Sequence, residues 1–415
     1  MHVKRPLPVL LGIASLIFLA SPAYASDGFR TAEFMDRANQ GFDEILNLDF
    51  DAATRSFTIL ADQYPYHPAP PLYLATVIWL RELDVRQELV LDHFVHPGYF
   101  TKPANRAMPA ATRTLFFDYT GKSRALAEDR LKSSPQDRDA QYLRGATEGL
   151  LAAFAITVDR SNSQALYHGK QAYGMESHLL EEDHPYYDAC LLAGLYDYVA
   201  ANIPWFLRWL AAISGFRGDK ARALRSLDLA VEKGQYVSEE GRVFRVVLLV
   251  REGRAGEALD DLHVLLTRYP RNYVFPLTQA QILDGVGRRE EAADTYLQVL
   301  RFAEEGKPNY QRVDVAALRW QTGNMLLPIR PQAALEAYQV LLRGAATQER
   351  WKVLAMLQSG CALDLLGRRE DAIRQYQAVL SMKNYDNAHA HANEYLQWPY
   401  TATPTTVSLP RLLPQ

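Results

Sequence analysis

At 415 residues, 48% hydrophobic and 22% charged, the chain has the composition of an ordinary globular protein, long enough for several domains or one long repeat array. Its net charge of -3 leaves no basic footprint for nucleic acid and no polybasic patch for a membrane surface, so both partner classes are set aside.

The first element is an export signal. Met1-His2-Val3-Lys4-Arg5 is a cationic start, Leu7 to Ala20 is an apolar run broken by Pro8, Gly12 and Ser15, and Ala23 and Ala25 supply the small residues a signal peptidase requires. The run is too short to span a bilayer comfortably, so residues 1–25 are expected to be cleaved after Ala25; an uncleaved anchor is the competing reading. No cysteine follows the run to take a lipid. The Ala-x-Ala ending has a bacterial character and predicts a periplasmic chain.

Residues 26–160 read as irregular helix pairs. Asp51-Ala52-Ala53 with Phe57 and Leu60 forms a second-helix pattern, and Gly41 stands at the small position of the helix before it. A proline followed ten residues later by a small residue occurs at Pro65 to Ala75 and at Pro135 to Gly145. Residues 161–204 are less regular, with helices expected over Ser163–Leu180 and Tyr186–Ala201, broken by Glu181-Glu182-Asp183-His184-Pro185. The stretch Cys190–Phe216 is apolar enough to suggest lipid contact. Asp197, Asn202, Pro204 and Arg208 interrupt it, however, and charge inside a span is costly, so buried helices hinged at Pro204 are the reading.

From residue 205 to 400 the pattern becomes regular. Five segments open with a turn residue and then carry a small residue, a large apolar one four later and a third apolar one three after that. The triplets are Ala223/Leu227/Ala230, Ala258/Leu262/Leu265, Ala292/Tyr296/Val299, Ala334/Tyr338/Leu341 and Ala372/Tyr376/Val379. Spacings of four and three put each triplet on one helical face, and the alanine admits a close neighbour. Gly253, Gly287 and Gly367 sit where a helix C-terminus needs left-handed backbone. Val246 and Thr322 stand where a glycine or alanine is usual, which predicts slightly wider helix pairs there. Residues 387–398 read as an amphipathic terminal helix that covers the last pair with Ala388, Ala392, Tyr395 and Leu396, and residues 401–415 as a tail without periodicity.

The alanines of the triplets step by 35, 34, 42 and 38 residues, and a period of about 34 with insertions is that of the tetratricopeptide repeat (TPR). The chain therefore resembles TPR proteins, strongly over residues 205–400 and patchily over 34–151. The resemblance implies an all-α solenoid, a right-handed superhelix of antiparallel helix pairs that binds rather than catalyses. Gly194-Leu195-Tyr196, an apolar helix and Gly215-Phe216-Arg217-Gly218-Asp219 leading into a repeat also resemble the eukaryotic tetratricopeptide-39-like family, and a bacterial set of exported TPR proteins is similar over most of the mature chain.

Motifs for chemistry are absent: no His-Glu-x-x-His, no Gly-x-Ser-x-Gly, no phosphate loop and no Cys-x-x-Cys. His93 and His96, with Asp92 nearby, lack a third zinc ligand and read as a polar helix end before Pro97-Gly98. His389 and His391 are two apart on a helix and diverge by about 200°. Glu181/Glu182 and Glu290/Glu291 lie at turns and helix starts, where acids complement the helix dipole. Cys190 and Cys361 sit in apolar helical patterns and read as two buried free thiols. No cofactor or metal is expected.

A TPR array would line its concave face with first helices: Val243, Val247 and Val250, then Leu277, Gln281 and Asp284, then Arg319 and Gly323, then Leu357, Cys361 and Asp364. This partly apolar set lacks the Lys/Asn/Arg arrangement that grips a C-terminal carboxylate, and suits an extended, partly apolar peptide or protein segment. The alternative for several of these residues is packing against other helices. The functional expectation is a non-catalytic periplasmic scaffold for a protein or peptide of the cell envelope. Two other readings are a carrier of a lipid or small hydrophobe, suggested by Cys190–Phe216, and a hydrolase using His93 or His184.

Overall fold

The computed structural model describes residues 31–95, 102–104, 106–181, 185–202, 218–344 and 347–402. The predicted signal segment, His96, His184, most of Cys190–Phe216 and the tail after residue 402 lie outside them. The described residues form helices and turns without a strand. In chain order the helices are α1 Ala32–Leu46, α2 Phe50–Gln63, α3 Ala69–Val85, α4 Leu91–Val95, α5 Ala110–Ser133, α6 Arg138–Thr157, α7 Asn162–Leu180 and α8 Ala189–Ala201. They continue with α9 Lys220–Lys233, α10 Ser238–Arg251, α11 Ala255–Arg268, α12 Val274–Gly285 and α13 Arg289–Glu304. After a short turn of 3-10 helix at Tyr310–Arg312 come α14 Val315–Leu326, α15 Pro331–Arg343, α16 Glu349–Leu365, α17 Arg369–Leu380 and α18 Ala388–Gln397.

Apart from the short α4, each described helix packs on the next: α1 on α2, α2 on α3, α3 on α5, and so on to α17 on α18. This is the succession of antiparallel pairs expected of a TPR-type α-solenoid. All fifteen residues of the five triplets are buried, none more than 3% exposed. The earlier pattern behaves alike, with Ala53, Phe57 and Leu60 at 0%. The small positions work by steric exclusion: a Cβ on Gly41 would collide with the Phe57 ring, one on Gly323 with Tyr338 and one on Gly360 with Tyr376.

Two turn types recur. Between the helices of a pair, a left-handed residue ends the first helix, and its amide and the next one bond back to carbonyls three and five residues earlier. Gly253 (φ 75°), Gly287 (φ 81°) and Gly367 (φ 73°) fill this position, and so do Leu48 (φ 63°) and Gln87 (φ 58°). Each of the three glycines is followed by an arginine that pairs three residues on, as Arg254–Glu257, Arg288–Glu291 and Arg368–Asp371. Between pairs, Pro65, Pro135 and Pro270 each follow a helix end, and a side chain two residues later caps the next helix. His67 Nδ1 accepts from Ala69 N–H at 3.1 Å, Asp137 Oδ1 from Ala140 N–H at 3.0 Å, and Asn272 Oδ1 from Val274 N–H at 2.8 Å.

The structure corrects one register. The small position of α14 is Gly323, not Thr322, because the link to α15 is one residue shorter than in the other pairs. Gly323 meets Tyr338 fifteen residues on, whereas Gly41 meets Phe57 and Gly360 meets Tyr376 sixteen residues on. The close approach predicted to be lost at Thr322 is therefore kept. The two helices of this middle segment stay within the stack: α7 packs on both α6 and α8, and α8 on α9. Gly145 keeps its small role too, but the side chain that fills the space is the Glu176 carboxylate of α7.

Candidate functional site

The first helices α10, α12, α14 and α16 carry the predicted inner-face residues. On α10, Val243, Val247 and Val250 are half-buried and pack against an apolar cluster that contains Val246, Leu249, Leu262, Phe275 and Ile282. Two members of that cluster come from far away in sequence: Leu46 at the end of α1 and Leu91 of α4. The short α4 lies against both α10 and α12. An N-terminal segment therefore covers part of the surface predicted to line the inner face.

On α12, Leu277 and Gln281 are buried, and neither amide atom of Gln281 finds a hydrogen-bond partner. Asp284 lies 3.8 Å from Arg289, and burial raises its carboxyl above the usual range against that favourable charge. On α14, Arg319 pairs with Glu304. Gly323 faces Tyr338, and the one-residue register correction assigns its place and that of Arg319 to Asn324 and Trp320. Asn324 Oδ1 accepts from Tyr338 Oη at 2.6 Å. Trp320 is half-buried and stands 5.7 Å from Trp351 of α16. The sequence reading missed Trp320; the fifteen-residue spacing from Gly323 to Tyr338 is the signal that would have found it.

On α16, Leu357 and Cys361 are buried. Burial pushes the Cys361 thiol up to about 12 and the Cys190 thiol up to about 11, and both are free. The Asp364 side chain is 0% exposed. It accepts from Arg369 at 3.0 Å, from Tyr376 Oη at 2.8 Å and from the Tyr400 N–H at 2.8 Å, so it ties α17 and the chain after α18 to the end of α16. Of the predicted set, Val243, Val247 and Arg319 keep partial exposure, while Leu277, Gln281, Gly323, Leu357 and Cys361 are buried.

The N-terminal cover is held by a polar latch. Asn272, between α11 and α12, donates from Nδ2 to the Leu46 carbonyl at 2.7 Å. Asn309 and Arg312, between α13 and α14, donate to the next two carbonyls, Asn47 at 2.7 Å and Leu48 at 2.9 Å. Leu46 is the last residue of α1 and Asn47 and Leu48 form the turn after it, and none of the three carbonyls has a partner within the helix. Charges add to the match. Arg271 Nε donates to Asp49 at 2.9 Å, Arg312 pairs with Asp84 at 3.1 Å and Arg268 lies 3.7 Å from Asp43. Tyr273 Oη donates to Asp84 Oδ1 at 2.6 Å; its burial, then the Asp84 charge, raise its pKa and keep it a donor. Leu48 stands in the latch with its left-handed backbone, a conformation costing about 1–2 kcal/mol for a residue with a Cβ.

Elsewhere, His93 is buried within α4. His389 Nε2 meets the Met382 carbonyl at 2.9 Å, and His391 lies 3.9 Å from Glu394, so the two histidines engage different groups. Among the described residues no group of three or more His, Cys, Asp or Glu is placed to hold a metal ion, and no helix is long and apolar enough to cross a membrane.

No family model and no curated protein matches this sequence. Among solved structures the chain is similar to yeast Tom70, with 12% identity over 88% of each chain and a TM-score of 0.31. It is similar to human IFIT1 in a dimer with PPP-AAAA, at 13% identity over 89% of this chain and 86% of that one, with a TM-score of 0.35. It is also similar to the TPR domain of P58(IPK), at 17% identity over 88% of this chain and 89% of that one, with a TM-score of 0.22.

Proposed function

We propose that the chain is an exported, periplasmic scaffold of the cell envelope that binds a protein or an extended peptide segment on the inner face of its helix pairs. The observation that carries this reading is the inner face itself. Val243 and Val247 of α10 keep partial exposure and sit against a cluster that already accepts Leu46 and Leu91 from a distant part of the chain. A surface that takes up leucine side chains from one segment has the chemistry to take them from another. Half-buried Trp320 extends the same face onto α14 and supplies the kind of aromatic anchor that concentrates binding energy.

Position-specific photo-crosslinking tests this. A photoreactive phenylalanine analogue replaces Val243 or Trp320 on the inner face, or Gln339 of α15 as an outer-face control, and the chain is expressed with its N-terminal signal. Discrete adducts to an envelope protein at positions 243 and 320, absent at 339, are expected. Equal labelling at all three positions, or none, overturns the reading. Mass measurement of the exported chain tests the address separately: the N-terminus should be Ser26.

A further inference from the structure

The latch has the form of a receptor. Three side chains from two inter-pair turns, Asn272, Asn309 and Arg312, bind three consecutive main-chain carbonyls, those of Leu46, Asn47 and Leu48. Recognition of carbonyls at a helix end does not depend on which side chains the helix carries. Selectivity comes from the surroundings. On the array side stand Arg268, Arg271 and Arg312; on the α1 side stand Asp43 and Asp49, with Asp84 of α3 beside them. Arg268 is shared with Glu239 of its own side, at 2.6 Å. Leu46 supplies the apolar anchor.

We infer that this surface is a docking site for the C-terminal end of an acidic, leucine-anchored helix, that α1 is its resident occupant, and that a partner helix of the same chemistry displaces it. The inference rests on the scaffold reading above and adds the partner's chemistry. Two features suit an exchangeable contact. Asp43 and Asp49, two of the three acids, keep 50% and 21% side-chain exposure, so solvent competes for them. The occupant and the site are more than two hundred residues apart in sequence, so the contact is tertiary and can open without unwinding a helix.

A labelled synthetic peptide of residues 31–52, covering α1 and the turn, serves as the probe. Its binding to the full chain is compared by fluorescence anisotropy with binding to the double variant Asp43→Asn/Asp49→Asn, which loosens the occupant and leaves the receptor side intact. The variant should bind at least tenfold more tightly than the unaltered chain, and adding Arg271→Ala with Asn309→Ala should remove the gain. A variant that retains its helical circular dichroism yet binds no more tightly overturns the inference. If the double variant does not fold, Asp49→Asn alone is read the same way, with a gain of at least threefold. Photo-crosslinks at positions 243 and 320 that persist unchanged while the peptide fails leave the scaffold reading standing and remove only the exchange.

Discussion

Glu176 shows most clearly how a single side chain departs from its type. It is fully buried on α7, neither carboxylate oxygen has a partner, and burial, then the Asp188 charge, hold its pKa well above the usual carboxylate range. Asp188 nearby is spent on the amides of Gln235 and Tyr236, at 2.8 and 2.7 Å. The folded chain therefore keeps a proton on Glu176 that the unfolded chain loses in the ordinary carboxylate range. Stability from this site is full below that range and falls as pH rises toward the folded pKa. Glu176→Gln should flatten the fall in melting temperature as pH rises above the ordinary carboxylate range. Glu176→Met should raise stability by about 1–3 kcal/mol at neutral pH, since it removes an unsatisfied buried group. A variant with an unchanged pH slope would show that Glu176 is solvated in the folded protein. Sequence pattern marked Gly145 as a small position; it held no sign that a carboxyl would fill the space, because that pairing crosses thirty-one residues.

Within an element, a helix pair closes because a small residue on one helix meets a large ring on the other. Gly360→Val would push a branched side chain into the Tyr376 ring, whose hydroxyl is fixed on Asp364 at 2.8 Å and cannot swing away freely. The expected loss is about 1–3 kcal/mol, with the slope of urea unfolding unchanged. The same change at Gly253, where a Cβ meets nothing within 4 Å but φ is 75°, should cost through backbone strain alone. Much of this level was legible beforehand. The triplets, the Gly turns, the Pro turns and the terminal helix with Ala388 and Ala392 all follow from spacing. The exception was α14, where a link shorter by one residue moved the small position from Thr322 to Gly323 and with it the inner-face residues from Arg319 to Trp320.

For the whole molecule the decisive feature is closure. An open repeat array unfolds in parts, because each pair touches only its neighbours. Here Asp84, 3% exposed, accepts from Tyr273 and pairs with Arg312, and so binds the N-terminal pairs to the middle of the array. Asp84→Ala takes the acceptor from Tyr273 Oη and leaves Arg312 with the Leu48 carbonyl, and should cost about 1–3 kcal/mol. Calorimetry should then resolve two transitions where the unaltered chain shows one. A single transition at a lower temperature would mean that local stacking, not the latch, couples the halves.

Repeat period and helix faces are local properties: they depend on residues three, four and about 34 apart, so the sequence by itself determined the all-helical solenoid, its turns and its buried triplets. Which inner-face residues stay accessible is not local. Val243, Val247, Gln281 and Asp364 share a pattern in the sequence, yet Leu46 and Leu91 join the cluster behind the valines, neighbouring helices bury Gln281, and the chain after α18 closes over Asp364. The contacts at the valines and at Asp364 join residues from 36 to more than 200 positions apart through side chains with no common period. Only the tertiary structure, by bringing α1 and α4 onto α10 and α12, decided which part of the face is already taken.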